Sequence, residues 1–351
     1  MIQQLLDHPP MGYTLQHVRM AFSDDMDSIG RLRLGKLWHL LQVLGAIWRA
    51  WWRWRPFALY FPPAGPGRVP VYRDLVILGL TRFLFRHTIF HFHASGVSQL
   101  YPRLHAVERA LFRCAYFRPA VAIQTSAQNP PDGDVLSARH TVIVENGLPD
   151  AFQRFITASR VFRASPHPPR ILFVGALYES KGVRVLLEAA RLLRQQGLAF
   201  SLRLVGCFES PAFEAEMRQW VQAAGLADDV SFAGVLTGDA KWRAYAEADV
   251  FCNPTFFESE SFGLVNLEAM MFELPVVSTH WRGIPTVVQD GVSGFLAPIR
   301  DAAAVAQHLA TLLADVGLRQ RMGTAGREIY LRRFSLDTWC QGMAHAFELC
   351  H

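Results

Sequence analysis

The chain has no run of about 20 apolar residues, so no segment is expected to span a bilayer as a helix. Its opening, Met1-Ile2-Gln3-Gln4-Leu5-Leu6-Asp7, has neither a basic start nor a long apolar core, and does not read as a secretory leader. Cysteine is sparse: Cys114, Cys207, Cys252, Cys340 and Cys350 are scattered, odd in number and without metal-ligand spacing. That pattern points to reduced thiols and a cytoplasmic protein. No G-x-G-x-x-G follows a strand-like run, which argues against a nicotinamide-dependent dehydrogenase. Lysine is almost missing from residues 1–120, which hold one lysine, 14 arginines and six acids, a net of +9. The remaining residues carry 20 basic and 24 acidic side chains, a net of −4. A basic N-terminal part implies an anionic surface or substrate there, either membrane or nucleic acid.

What is present is globular. At 351 residues, 51% hydrophobic and 19% charged, the chain can bury two cores of ordinary domain size. Residues 36–55 read as a helix in which His39, Gln42, Arg49 and Arg53 form a narrow polar stripe. Trp38, Trp48, Trp51, Trp52 and Trp54 crowd the same segment. It is either a core helix under a sheet or an interfacial helix with tryptophan at headgroup level and Arg49, Arg53 and Arg55 facing anionic lipid. Leu100 to Arg118 adds arginines 103, 109 and 113 with Tyr101, Phe112 and Phe117. Stacking on nucleic-acid bases has a similar composition, but no nucleic-acid module signature accompanies it.

Strand-like and helix-like runs alternate along the chain. His87 to Ala94 reads as a buried strand whose alternation puts His91 and His93 on one side. A zinc site is the rival reading, without a third ligand spaced nearby. Residues 121–127 and 140–144 read as further strands, and 164–169, Ala-Ser-Pro-His-Pro-Pro, as a linker. Strands follow at 171–175, 202–207, 230–234, 249–254 and 275–279, with helices between them and a last amphipathic helix from Leu336. Asp25-Met26-Asp27 and Asp132-Gly133-Asp134 match the D-x-D pattern of metal-dependent enzymes, but Asp132 follows Pro130-Pro131 and reads as a turn.

The stretch Phe256 to Met270 concentrates the chemistry. Glu260 lies in a loop, a helix is expected from about Phe262, and Gly263 in its first turn lets another molecule approach the backbone. The amides of residues 262 to 265 then face a spot that favours an anion. Glu268 follows about two turns in, so a phosphate at the helix tip has a carboxylate on each side. Ionised carboxylates are strong acceptors for sugar hydroxyls. On spacing alone, two surface glutamates near a helix start are the favoured reading.

The wording around the pair resembles the signature of glycosyltransferase family 4: Glu260-Ser261-Phe262-Gly263, then Glu268-Ala269-Met270, then Pro275-Val276-Val277. The resemblance implies an α/β chain of the GT-B fold, two Rossmann-like domains with an interdomain cleft. It places an N-terminal acceptor-binding domain at 1–165, a C-terminal nucleotide-sugar domain at 166–335, and a helix at 336–351 returning to the first. It implies that Glu268 holds ribose hydroxyls, Glu260 the donor sugar, Lys181 the diphosphate, and the backbone around Phe262, Gly263, Leu264 and Val265 phosphate and sugar. His93 ends the family's His-x-His strand and is expected to contact the donor sugar. Gly12 and Gly283 occupy the places of the family's glycine turns. The family's arginine after the first strand of the donor domain is Ala176 here.

The function implied is a retaining transfer, without metal, of a sugar from a nucleotide-sugar donor to a saccharide or lipid-linked saccharide. Front-side attack is the expected route. The protein is expected to be cytoplasmic and peripheral on the inner membrane face, to build surface polysaccharide, and to bind no nucleic acid. The alternatives are a nucleotide-sugar epimerase or hydrolase of the same fold, and a catalytically weak membrane-associated scaffold.

Overall fold

The computed structural model describes residues 1–20, 34–156 and 168–350. Asp25-Met26-Asp27 and linker residues 164–167 lie outside the described residues. In chain order the elements are α1 (Ile2–Asp7), α2 (Leu34–Trp54), β1 (Ala58–Phe61), α3 (Arg68–Thr81), β2 (His87–Phe92), α4 (Ala106–Tyr116), β3 (Val121–Gln124), α5 (Asp132–Val135) and β4 (His140–Ile143). Then come α6 (Phe152–Phe155), β5 (Arg170–Val174), α7 (Val183–Gln195), β6 (Ser201–Val205), α8 (Pro211–Ala223), β7 (Val230–Phe232), α9 (Gly238–Glu247) and β8 (Val250–Cys252). The rest are α10 (Leu264–Met271), β9 (Val276–Thr279), α11 (Ile284–Val287), β10 (Gly294–Ala297), α12 (Ala302–Ala314), α13 (Val316–Arg333) and α14 (Leu336–Glu348). They form two compact units, one of Met1–Asn146 with Asp337–His351 and one of Gly147–Leu336.

The first unit holds a parallel sheet in the order β1-β2-β3-β4. β2 and β3 are buried along nearly their whole length, which is why they read as unbroken apolar runs. Val43 and Ile47 of α2, Val71 and Ile77 of α3, and Phe112 and Tyr116 of α4 pack into one core with Phe90 and Phe92. The sequence from Leu100 to Arg118 is not one helix. A 3-10 stretch over Val97–Arg103 ends after Pro102, and α4 restarts with the His105 amide donating to Glu108 at 2.8 Å. α14 completes this unit: Tyr13 Oη donates to the Phe347 carbonyl at 2.9 Å, and the Tyr60 and Phe347 rings stack at 5.9 Å.

Gly12 does not follow a strand. The helix α1 precedes it, and Gly12 sits in an exposed turn with φ +85°. The apolar residues before it, Ile2, Leu5 and Leu6, recur at helical spacing, and Leu5 is buried.

The second unit is a six-stranded parallel sheet in the order β10-β9-β8-β5-β6-β7. Counted within the unit, that is 6-5-4-1-2-3, so the direction of winding reverses between β5 and β8. In open α/β sheets the crevice at the carboxyl ends of such a strand pair is where ligands bind. Helices start where the sequence supplies caps: Ser210 accepts from the Phe213 amide ahead of α8, and Asp301 from the Ala304 amide ahead of α12.

Candidate active site

Two loops leave the carboxyl ends of β5 and β8 and meet. After β5 a 3-10 turn, Glu179–Lys181, leads into α7 through Gly182, whose φ is +82°. A Cβ on Gly182 would lie 2.1 Å from the Pro254 carbonyl oxygen, so only glycine lets the loops touch. The Phe256 amide donates to the Ser180 carbonyl at 2.8 Å across the same junction. Thr279 Oγ1 donates to the Thr255 carbonyl at 2.6 Å, and Trp281 Nε1 to the Phe257 carbonyl at 2.8 Å, fixing the β8 loop from the next strand.

This junction brings Lys181 and Glu260 together. Lys181 Nζ donates to Glu260 Oε2 at 2.6 Å and lies 4.5 Å from the Phe257 ring centre. The side chains keep 21% and 12% of their surface. The anionic partner that a lysine needs near a helix start is thus Glu260 itself.

α10 begins at Leu264, two residues later than the sequence suggests. Gly263 adopts φ +76° as its N-cap, and the Asn266 amide is bonded to the Gly263 carbonyl at 2.9 Å. The first-turn amides left for a ligand are those of Leu264 and Val265. Phe262 turns inward: it is fully buried, edge-on to Phe334 at 5.6 Å, so its side chain anchors the loop in the core. Glu268 is one turn into α10, not two, and is buried. Its Oε1 accepts from Lys241 Nζ at 2.6 Å and its Oε2 from Tyr245 Oη at 2.8 Å. Burial, and then the Glu268 carboxylate, push the Tyr245 phenol well above its ordinary range, so it stays a donor. Lys241 and Tyr245 are one turn apart on α9; their i, i+4 spacing just before the signature was the available signal, and the sequence reading passed over them. Asn266 was also passed over. It is fully buried, and neither atom of its side-chain amide has a hydrogen-bond partner among the described residues. Gly283 is buried at the start of α11, its carbonyl taken by Thr286 Oγ1 at 2.6 Å.

His93 and Gly12 belong to the first unit. His93 lies in the bend just after β2, its amide donating to the His91 carbonyl at 3.1 Å, and its ring centre lies 3.9 Å from that of His91. His91 is fully buried with Nδ1 2.7 Å from Tyr60 Oη. Burial pushes the His93 imidazole down to about 4, and burial followed by the His93 neighbour pushes His91 well below its ordinary value. Both rings are neutral at pH 7. The loop beyond His93 is tied down by Asp132, whose carboxylate accepts from the Gly96 amide at 2.7 Å and the Ser98 amide at 2.8 Å. Asp132 is buried while Asp134 is exposed, so of this D-x-D pair it is Asp132 that staples the loop.

Solved structures of similar architecture define the class. Sucrose-phosphate synthase from Thermosynechococcus elongatus superposes with a TM-score of 0.71 at 20% identity, over 95% of this chain and 84% of that one. HepE from Anabaena in complex with UDP gives 0.67 at 18% identity, over 88% and 82%. The fold is GT-B. Residues 156–329 match the family model described as glycosyl transferases group 1. That stretch, almost half of the chain, is similar to the glycosyltransferases of this group. Among curated relatives, it is 37% identical over 149 residues to the amylovoran biosynthesis glycosyltransferase AmsK of Erwinia amylovora, covering 41% of this chain and 36% of that protein. It is 36% identical over 155 residues to the putative colanic acid biosynthesis glycosyltransferase WcaL of Escherichia coli, covering 43% and 37%. The chain therefore spans little more than a third of the length of the curated relatives it matches.

Proposed function

We propose that the protein is a retaining glycosyltransferase that moves a sugar from a nucleotide-sugar donor to a saccharide or lipid-linked saccharide, in surface-polysaccharide biosynthesis at the cytoplasmic face of a membrane. The observation that carries this reading is the Lys181–Glu260 pair at the junction of the β5 and β8 loops, with Glu268 on the helix that follows. Breaking the bond from sugar to diphosphate loads negative charge on the leaving group. Lys181 Nζ and the amides of Leu264 and Val265 are fixed donors suited to that charge, and stabilising such charge with preorganised donors is where enzymes gain most of their rate. The reading therefore invokes no metal. Glu260 then accepts from the donor sugar and Glu268 from the ribose, each carboxylate oxygen having a second lone pair free for a hydroxyl. The polysaccharide assignment draws on the names of AmsK and WcaL, and the nucleotide on the UDP complex of HepE.

The rival scaffold reading has two observations in its favour: Ala176 stands where a second phosphate-binding cation is expected, and Gly12 follows a helix where a strand is expected. A thermal-shift panel of UDP, GDP, ADP and dTDP, with and without magnesium, tests the proposal. One nucleotide at about 100 times its Kd is expected to stabilise the fold by about 2.7 kcal/mol without metal. No response to any of the four overturns the site, and binding without release of product from nucleotide sugars favours the scaffold.

A further inference from the structure

Helices α2 and α3 are apolar on two sides. Inward, Val43 and Ile47 of α2 and Val71 and Ile77 of α3 enter the core of the first unit. Outward, α2 exposes Trp38, Leu41, Trp48 and Trp52, spaced by three, four or seven, which is one face of a helix. α3 exposes Val69, Tyr72, Val76 and Leu80 on the same spacing, and Phe83 extends that row past the helix end. The two rows join: the Trp48 and Phe83 rings are 5.9 Å apart, and Trp51 Nε1 donates to the Leu84 carbonyl at 2.7 Å. Trp52 and Phe83 keep 74% and 69% of their surface. A continuous exposed ridge of this kind marks an interaction surface.

The charge around the ridge is mainly of one sign. Residues 28–107 contain a single acid, Asp74, which is fully buried and paired with Arg73 at 2.7 Å. The next acid, Glu108, accepts from Tyr72 Oη at 2.6 Å and lies 3.8 Å from Arg68. At the end of α2, Arg55 lies 4.1 Å from the Trp51 ring centre and Arg53 5.2 Å from that of Trp54. Beside Phe83 opens a cavity of 680 Å³ lined by Arg82, Arg86, Arg118 and Arg139, with no carboxylate among the described residues of its wall. Arg82 is committed to the carbonyls of Ala115 and Arg118, at 2.7 and 3.0 Å. Arg86, Arg118 and Arg139 are exposed and supply the cavity's charge. A second copy would bring the same cationic face against itself. Single-stranded nucleic acid stacks on aromatic faces and gains nothing from Leu41, Val76 and Leu80.

We propose that this face lies on a lipid bilayer carrying anionic phospholipid, the ridge sinking into the headgroup–acyl boundary and the arginine cavity seating a lipid phosphate. The inference rests on the membrane location proposed above and gives it a surface. Tryptophan and phenylalanine at such a boundary, with arginine beside them, is the composition of interfacial helices.

The test is co-sedimentation with vesicles of phosphatidylcholine alone and of phosphatidylcholine with phosphatidylglycerol. The protein is expected to bind the anionic vesicles about tenfold more tightly, and added salt should weaken that preference. The double variants Trp52→Ala with Phe83→Ala, and Arg86→Glu with Arg139→Glu, are each expected to lose about tenfold in affinity for the anionic vesicles. All four residues are exposed, so folding is expected to survive, and the nucleotide thermal shift is measured on every variant as a control. Absence of binding to anionic vesicles, or binding that ignores both double variants, overturns the proposal. So does a dimer in light scattering that the Trp52→Ala, Phe83→Ala pair dissolves. If vesicle binding fails while the nucleotide shift persists, only the membrane face falls; if vesicles bind and no nucleotide does, the donor site falls instead.

Discussion

Lys181 has two claimants. In the ligand-free site its ammonium is held by Glu260 at 2.6 Å; with donor bound, the proposed function gives it to the diphosphate. Glu260 thus competes with the phosphate for the cation and also repels it. Hydrogen bonds to charged groups contribute about 1.5–3 kcal/mol when partly shielded from water. Losing Lys181 altogether removes that attraction, so Lys181→Met is expected to weaken nucleoside diphosphate binding by about 10–100-fold. Glu260→Gln removes the competitor and keeps the shape. It is expected to tighten nucleoside diphosphate binding by about 3–10-fold, or about 0.7–1.4 kcal/mol. Transfer by Glu260→Gln should nevertheless collapse, because a neutral amide is a weaker acceptor for the sugar hydroxyls. Isothermal titration with the nucleoside diphosphate identified in the thermal-shift panel reads both variants. The essential result is opposite signs. If both substitutions weaken binding in folded protein, Glu260 is not a competitor for the cation; wild-type transfer in either would refute the site itself.

Gly182→Ala places a Cβ against the Pro254 carbonyl at φ +82°; a loss of at least about 2 kcal/mol is expected, seen as a Tm lowered by several degrees together with weaker nucleotide binding. His93 has a pKa pushed down to about 4 by burial, against an ordinary 6.5. Between those values the unfolded chain binds the proton and the folded one does not, so stability should fall as pH drops through this window, by about 3 kcal/mol at its end. Urea melts at pH 7 and pH 4.5 should show a smaller difference in His93→Asn; an equal difference would remove His93 as the cause. Asp132→Asn turns an NH2 group towards one of the Gly96 and Ser98 amides, leaving that donor unmatched, and should cost about 1–3 kcal/mol in a denaturant melt.

The second unit was legible because most of its strands are short, largely apolar runs, β5 and β6 closed by Gly175 and Gly206, and because the donor loop carries a distinctive residue order. The pairing of Glu268 with Lys241 and Tyr245 was not, since it depends on how α9 packs against α10 and not on any local pattern. The start of α10 was misjudged by two residues because a left-handed Gly263 caps the helix where the sequence suggested that it belonged to the first turn. Gly12 misled for a similar reason: a glycine turn looks alike after a strand or a helix, and six residues are too few for periodicity to decide. The tryptophan-rich helix is core on one side, through Val43 and Ile47, while Trp38, Trp48 and Trp52 face outward, a division its crowded apolar residues did not reveal.

The first unit is assembled from both ends of the chain, and this dictates an order of events during synthesis. α14 delivers Trp339, Met343 and Phe347, all buried, to a sheet whose last strand was made before Gly147–Leu336 was translated. At about 5–20 residues per second the ribosome needs on the order of 10–40 s to make that insert. For that interval the β1–β4 sheet lacks its closing helix, with Tyr13 and Tyr60 without Phe347. The inserted unit is contiguous and can finish first, although it is encoded second. A chain truncated before Asp337 and released is therefore expected to hold a protease-resistant second unit and a sensitive first one.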